Sequence, residues 1–414
     1  MPELLLQHPW LSLLSGAFII GLGFGFIAAA TRYCNMGAVS DWVNIGDLGR
    51  MRAWFLSLMV IIAALSLLES AGSINLDQTR VDYRDPHFYW LRYTLGGILF
   101  GIGMVLAGGC TTKTLVNIGS GSIKSVLVFI IAGITAALLL GLPELRLAID
   151  NHLNRFYIEG QSHQDLGALI HRWTSHPADV SDIRLTIGLG AALLLGLGAW
   201  RLQRGSLRRT DLWGGLGIGV VIFAGWYLTG STFGQQLMNE AGYDFDPPAG
   251  LGTQSLTFIA PAAESLTWWQ KPWGLNALTF GIAAVVGVIA GATTWYASKR
   301  QWRLVGFNSW PDLLRHATGG VLMGAGGVIA MGCTVGQGLT GAGTLALGSF
   351  TAALSMIVSA WVTLKIMLYR ILYPDTGVKT LCQALLADLR IISRKKHPLR
   401  DHTPCGVRPG RCGE

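Results

Sequence analysis

Apolar runs separated by short polar stretches recur along this chain. A bilayer core takes about 20 mostly apolar residues per helix. Nine runs suit that requirement: 10–30, 53–71, 91–108, 125–142, 185–200, 212–229, 274–296, 317–331 and 345–369. Two of them, 91–108 and 317–331, are short and stop at Gly-Cys, and 185–200 is also short for a full crossing. The pattern predicts an all-α polytopic membrane protein with about nine transmembrane spans. The N-terminus carries Glu3 and no Lys or Arg, and no small-residue cleavage site follows. The first helix is therefore expected to stay in the protein. The membrane domain is expected over 1–372, with a basic cytoplasmic tail over 373–414.

Composition supports this class. The 414 residues are 51% hydrophobic and 13% charged, against about 25% charged in soluble domains. Gly reaches 55, which allows close helix approach in lipid. A soluble enzyme and a disordered chain are both excluded. The net charge of +8 becomes informative once it is located. With the N-terminus outside, the inner loops collect Arg32, Arg50, Arg52, Lys113, Lys124, Arg201, Arg204, Arg208, Arg209, Lys299, Arg300, Arg303 and Arg315, and the tail is basic too. The outer loops hold Arg80, Arg84, Arg146, Arg155, Arg172, Arg184 and Lys271. This excess predicts a C-terminus in the cytoplasm of a multi-pass membrane protein. Two long polar stretches, 143–184 and 230–273, then fall outside. The scattered His152, His163, His171 and His176 fit no compact metal-ligand pattern.

The chain also matches itself. Residues 96–111 read GGILFGIGMVLAGGCT, and 319–334 read GGVLMGAGGVIAMGCT. The offset is constant at 223, and the match continues past the cysteine with one inserted residue (TLVNIGSG at 114–121 beside GLTGAGTL at 338–345). By the charge count the first copy runs inward and the second outward. The repeat is therefore predicted to be inverted, 4+1+4: repeat one 10–142, a linker span 185–200, repeat two 212–369. Inverted halves place a transport site at mid-membrane on the repeat interface. Each Gly-Cys-Thr reads as the break in a re-entrant pair of half-helices, with Thr111, Thr112 and Thr334 where an N-cap or a ligand donor is useful.

A third element ends the first span at AAATRYCNMGAVSDW (28–42), bringing Cys34 to the same region. Its counterpart, LTGSTFGQQ (228–236), has Ser231 and Thr232 but no Cys. Three thiols are thus expected on the pathway. Zinc is not expected, because CxxC-type spacing is missing. A disulfide is not expected either, since Cys34 and Cys110 lie on inner connections and Cys333 on an outer one. A neutral thiol is a weak donor and a soft, polarizable surface, suited to a soft sulfur or selenium anion. The plain alternative is that each Cys is a small buried residue that packs like Ala. Lys113 and Lys124 flank the inner mouth, and Arg32 is the stronger candidate to attract an anion. Cys382, Cys405 and Cys412 belong to the tail and are expected to be reduced and solvated.

On GGCT (108–111), MGCTVGQGL (331–339) and RYC (32–34) the chain resembles the YeeE/YedE membrane family, associated with sulfur transport. Met331 stands where Gly is common in that family. The resemblance implies inner-membrane uptake of thiosulfate through an hourglass-shaped fold. It further implies relay by Cys34, Cys110 and Cys333, supported by Thr111, Thr334, Gly109, Gly332 and Arg32, and a small cytoplasmic sulfur-carrier protein as partner. Another branch is linked with selenium. Catalysis, a cofactor and nucleic acid are not expected, and without a GxxxxGK[ST] motif ATP-driven pumping by this chain is excluded. A second function class is a membrane thiol protein that accepts sulfane sulfur, against which no acid–base partner lies beside any of the three cysteines.

Overall fold

A helix covers most of each expected apolar run. The computed structural model describes residues 9–159, 163–174, 179–202, 208–241, 247–270, 275–373 and 377–388. The helices are α1 (Pro9–Thr31), α2 (Asn35–Ile45), α3 (Gly49–Ser70), α4 (Trp90–Leu106), α5 (Thr111–Gly119), α6 (Ile123–Gly141), α7 (Pro143–Leu153) and α8 (Leu166–Thr174). They continue with α9 (Val180–Arg201), α10 (Arg209–Gly230), α11 (Thr232–Ala241), α12 (Ile259–Gln270), α13 (Phe280–Ser298), α14 (Trp310–Ile329), α15 (Leu347–Leu372) and α16 (Val378–Asp388). A two-stranded antiparallel ribbon, β1 (His87–Phe88) with β2 (Ile158–Glu159), is the departure from an all-α fold. Most of the expected tail, including Cys405 and Cys412, lies outside the described residues.

Among the described residues, eight helical segments are long and apolar enough to cross a membrane. The chain is a multi-pass helical membrane protein. The expected span at 317–331 is not among the eight: its helix, α14, is 20 residues long, and its first two turns carry Asp312, Arg315 and His316. The linker span is longer than its apolar run, because α9 extends back to Val180 through Asp182 and Arg184.

Glycine sets the helix directions. A Cβ on Gly21 would fall 2.2 Å from the Ala284 carbonyl oxygen, and one on Gly25 2.0 Å from that of Val288. Positions advance together, so α1 and α13 are parallel. In the same way Gly215 abuts Ala53 and Gly219 abuts Ser57, so α10 and α3 are parallel. The α4–α14 contact runs the other way. Gly96 meets Ala330 while Gly103 meets Met323, and reciprocally Gly319 meets Ala107 while Gly326 meets Phe100. These two helices, which carry the repeated sequence, are antiparallel. Lipid gives apolar helices little reason to associate, so such backbone-to-backbone approach supplies the packing. The α4 helix also packs on α15, and α14 packs on α6.

At one face an ion network ties four segments together. The Arg84 guanidinium bonds both carboxylate oxygens of Glu69, reaches Asp77 Oδ1 at 3.0 Å and donates to the Thr344 carbonyl at 3.0 Å. Arg184 bonds Asp165 at 2.8 Å, Asp77 Oδ2 at 3.0 Å and Glu69 at 3.1 Å. Arg84 and Asp165 are buried. Removing one member of such a buried set leaves an uncompensated charge. Glu69, an acid at a span end, is thereby explained by its two arginines. Beside it, Leu166 N–H donates to the Leu345 carbonyl and Leu347 N–H to that of Gln164. The segment that follows Cys333 is therefore pinned at Leu345 and Leu347.

Burial pushes the Asp77 carboxyl up, but Arg184 and Arg84 outweigh it and the net direction is down from 3.8. A depressed folded pKa adds stability above the unfolded value, and that contribution is lost as pH falls through the folded one. In thermal unfolding followed from about pH 6 to about pH 2, the wild type should lose stability more steeply below the ordinary carboxylate range than Asp77→Asn. Equal acid limbs would contradict the network's role.

Candidate functional site

Three helices end in the same way. In α1, α4 and α14 the chain turns through a left-handed residue, Arg32 (φ 55), Gly108 (φ 74) and Met331 (φ 59). The next N–H then bonds back to a carbonyl five residues earlier: Tyr33 to Ala28 at 3.0 Å, Gly109 to Met104 at 2.9 Å, Gly332 to Gly327 at 2.8 Å. This is a Schellman-type cap. A cysteine follows the left-handed residue by two positions each time: Cys34, Cys110 and Cys333. Met331, where the family commonly has Gly, thus occupies a backbone conformation that favours glycine.

After each cysteine a short helical segment begins. Cys34 is the N-cap of α2, and its sulfur accepts the Gly37 N–H at 3.2 Å. Cys110 is the N-cap of α5. Thr111 is therefore the first helical residue, and the cysteine, not the threonine, holds the cap position. After Cys333 the chain forms a π-helical turn, Gly336–Gly341, in which Thr340 N–H bonds the Val335 carbonyl at 2.9 Å. A π turn takes in one residue more than an α turn. That extra residue accounts for the insertion between the two sequence copies. Beyond it the copies coincide again, with Gly121 (φ 97) and Leu345 (φ 62) both left-handed at the corresponding position.

The three sulfurs are buried, with Cys110 and Cys333 fully so. Cys34 Sγ lies 3.5 Å from Cys110 Sγ. The sequence reading sets Cys34 and Cys110 on inner connections and Cys333 on an outer one; the fold brings the two inner thiols into contact. Cys333 is joined to them through its neighbour. Asn35 Nδ2 donates to the Thr334 carbonyl at 3.2 Å. The Cys333 sulfur itself receives the Gly336 N–H at 3.5 Å. The Thr111 and Thr334 hydroxyls, equivalent in the two copies, are buried and have no hydrogen-bond partner. Buried hydroxyls are ordinarily satisfied, so two orphans beside the thiols mark a place where a ligand would complete the bonding. An apolar cleft reaches Thr334 and is lined also by Asn35, Val39, Trp54, Met104 and Met356.

The other expected site residues have local explanations. Gly109 leaves room for Lys113, whose Cδ would lie 2.8 Å from a Cβ there, and Gly332 for Gln337. Lys113 Nζ donates to the Gly108 carbonyl at 2.9 Å, and Gln337 Nε2 to that of Ala330 at 2.7 Å. Each therefore caps the end of the helix before its own cysteine. Lys124 pairs with Asp312 at 2.6 Å. Arg32 is exposed and is not drawn into the buried cluster.

Sequence reading missed one pair of residues. Arg92 Nε donates to the Ile329 carbonyl at 2.9 Å, and Arg315 Nε to the Leu106 carbonyl at 3.2 Å. Both donors and both acceptors are related by 223, so each copy's arginine caps the other copy's helix. The signal lay four residues upstream of the matched block.

Comparison with known proteins gives a consistent picture. The family model described as Sulphur transport matches residues 30–362. The chain is similar to the thiosulfate transporter TsuA of Escherichia coli (strain K12), 26% identical over 374 residues that cover 84% of this chain and 93% of the relative. It is also similar to the thiosulfate transporter TsuA of Spirochaeta thermophila, 25% identical over 366 residues covering 85% of this chain and 98% of the relative.

A Cβ on Gly108 would meet only His316 Nε2, at an ordinary 3.7 Å. The cost of Gly108→Ala is then the left-handed backbone alone, about 1 kcal/mol. A lower unfolding temperature of the detergent-solubilised chain is expected, and an unchanged one would show that the break does not need this turn.

Proposed function

The chain belongs to the Sulphur transport family, and on that premise we propose that it takes up thiosulfate, or an anion of the same soft-sulfur class, across a bacterial inner membrane. The observation that carries this reading is the Cys34–Cys110 contact at 3.5 Å beside the unpartnered hydroxyls of Thr111 and Thr334. Cys34, Cys110 and Cys333 relay the ion as neutral thiols. The soft terminal sulfur of thiosulfate meets polarizable S–H donors, and the hydroxyls serve its oxygens. The N-termini of α2 and α5 start at Cys34 and Cys110 and add favourable dipoles for an anion. Each contact is weak, so the ion can both enter and leave. Lys113 keeps positive charge close by while its ammonium caps Gly108.

The architecture read here is an inverted 4+1+4 repeat with nine crossings. Several facts support it. With alternating crossings, α1 and α13 point the same way, as do α3 and α10, while α4 and α14 oppose; the glycine contacts run in those directions. The reciprocal Arg92 and Arg315 caps obey one offset. The distribution of Lys and Arg then puts the N-terminus outside and the C-terminus in the cytoplasm, with Cys333 on the outer approach and Cys110 and Cys34 further in.

Uptake of labelled thiosulfate into proteoliposomes tests this reading. Cys110→Ala and Cys333→Ala should each lower the rate by about tenfold or more, since a hydrogen bond to a charged group contributes roughly 1.5–3 kcal/mol. Wild-type rates in both variants would sink the relay. No saturable thiosulfate uptake by the wild type would sink the substrate assignment.

A further inference from the structure

We propose that Cys34 and Cys110 form a reversible redox lock: a hydroperoxide joins them as a disulfide and closes the path that the reduced thiols keep open. The chemistry of the lock stands on geometry alone; its effect on transport rests on the function proposed above.

The contact is between two sulfurs of distant segments, 3.5 Å apart and shielded from bulk water. Closing to a disulfide takes the sulfurs to about 2.05 Å. Both cysteines sit at helix N-caps just after a left-handed turn, where a change of backbone angle displaces the sulfur without unwinding a helix. Cys34 keeps a 5% exposure and Cys110 none. Hydrogen peroxide is little larger than water.

The step balances with peroxide as the oxidant. The Cys34 sulfur attacks one peroxide oxygen, the O–O bond breaks, and Cys34 becomes a sulfenic acid while one water leaves. The Cys110 sulfur then attacks the Cys34 sulfur, the S–O bond breaks, and the thiol proton departs with the hydroxyl as a second water. Two thiols are oxidised by two electrons and one peroxide is reduced to two waters. A sulfenic acid beside a second thiol condenses to a disulfide instead of advancing to the irreversible acids. Cys333 differs, because its sulfur is met by the Gly336 N–H and not by another thiol. Locking removes both S–H donors, and a thiol reductant restores them.

The experiment uses the full chain in proteoliposomes, with Cys382, Cys405 and Cys412 replaced by serine to keep tail thiols from exchanging. After hydrogen peroxide, peptide mass mapping without reductant should find the Cys34 and Cys110 peptides joined and two hydrogens lighter than their sum. The product should be absent from Cys34→Ser and present in Cys333→Ser. Labelled thiosulfate uptake should fall about tenfold or more and return after reduction. Separate sulfinic acids on Cys34 and Cys110, or free thiols there while Cys333 is oxidised, would overturn the proposal. So would a joined product with undiminished uptake. If the product forms in a chain that never transports thiosulfate, the functional reading fails and the thiol chemistry stands, because the mass measurement does not depend on transport.

Discussion

Backbone polarity at the ends of α4 and α14 is the constraint on which this structure depends. A helix that stops leaves its last carbonyls without partners in the helix, and each must be met by another group. Here the partners can be named. The end of α4 gives its Leu106 carbonyl to Arg315 and its Gly108 carbonyl to Lys113. The end of α14 gives its Ile329 carbonyl to Arg92 and its Ala330 carbonyl to Gln337. Each break is thus closed once by its own copy and once by the other. A cationic side chain at a helix C-terminus also opposes the dipole there. The breaks persist because their exposed groups are satisfied, and the thiols are held where they are because the breaks persist.

Close packing follows from the same arrangement. The Arg92 and Arg315 caps reach only if α4 and α14 lie nearly in contact, which Gly96, Gly103, Gly319 and Gly326 permit. Larger residues at these positions would separate the helices and draw both guanidinium groups away from their carbonyls. Arg92 is held further, by Asn154 at 3.0 Å and Asp150 at 3.6 Å, whereas Arg315 is exposed. The two ends of one helix pair therefore differ in how firmly they are closed.

Much of this was legible in the sequence, and the rest has physical reasons for being hidden. Helix positions followed from apolar runs because length and hydrophobicity decide them. The Gly-Cys-Thr copies and their single inserted residue were visible, but the insertion's form, a π turn at Gly336–Gly341, depends on hydrogen bonding that no residue type announces. Arg32 looked like an anion attractor from its charge. Its backbone makes it a left-handed cap, and its side chain is exposed. The Cys34–Cys110 contact joins residues 76 apart in the chain. Local pattern cannot report a contact of that range; the loop assignment put both cysteines on inner connections and could go no further.

The fourth break shows what the cysteines require. At the end of α10 the chain passes from Gly230 to Ser231, and Ser231 N–H bonds the Tyr227 carbonyl at 3.1 Å, the spacing of a continuing helix. No left-handed residue stands there, and Ser231 is half-exposed. At the other three breaks the left-handed cap turns the chain inward, and the second residue after it becomes buried. The cap does not by itself call for a thiol: Gly72, Gly121 and Arg300 close helices through the same five-residue bond and are followed two positions on by Ile74, Ile123 and Trp302. At Cys34, Cys110 and Cys333 the turn and the small residue type together bury the thiol.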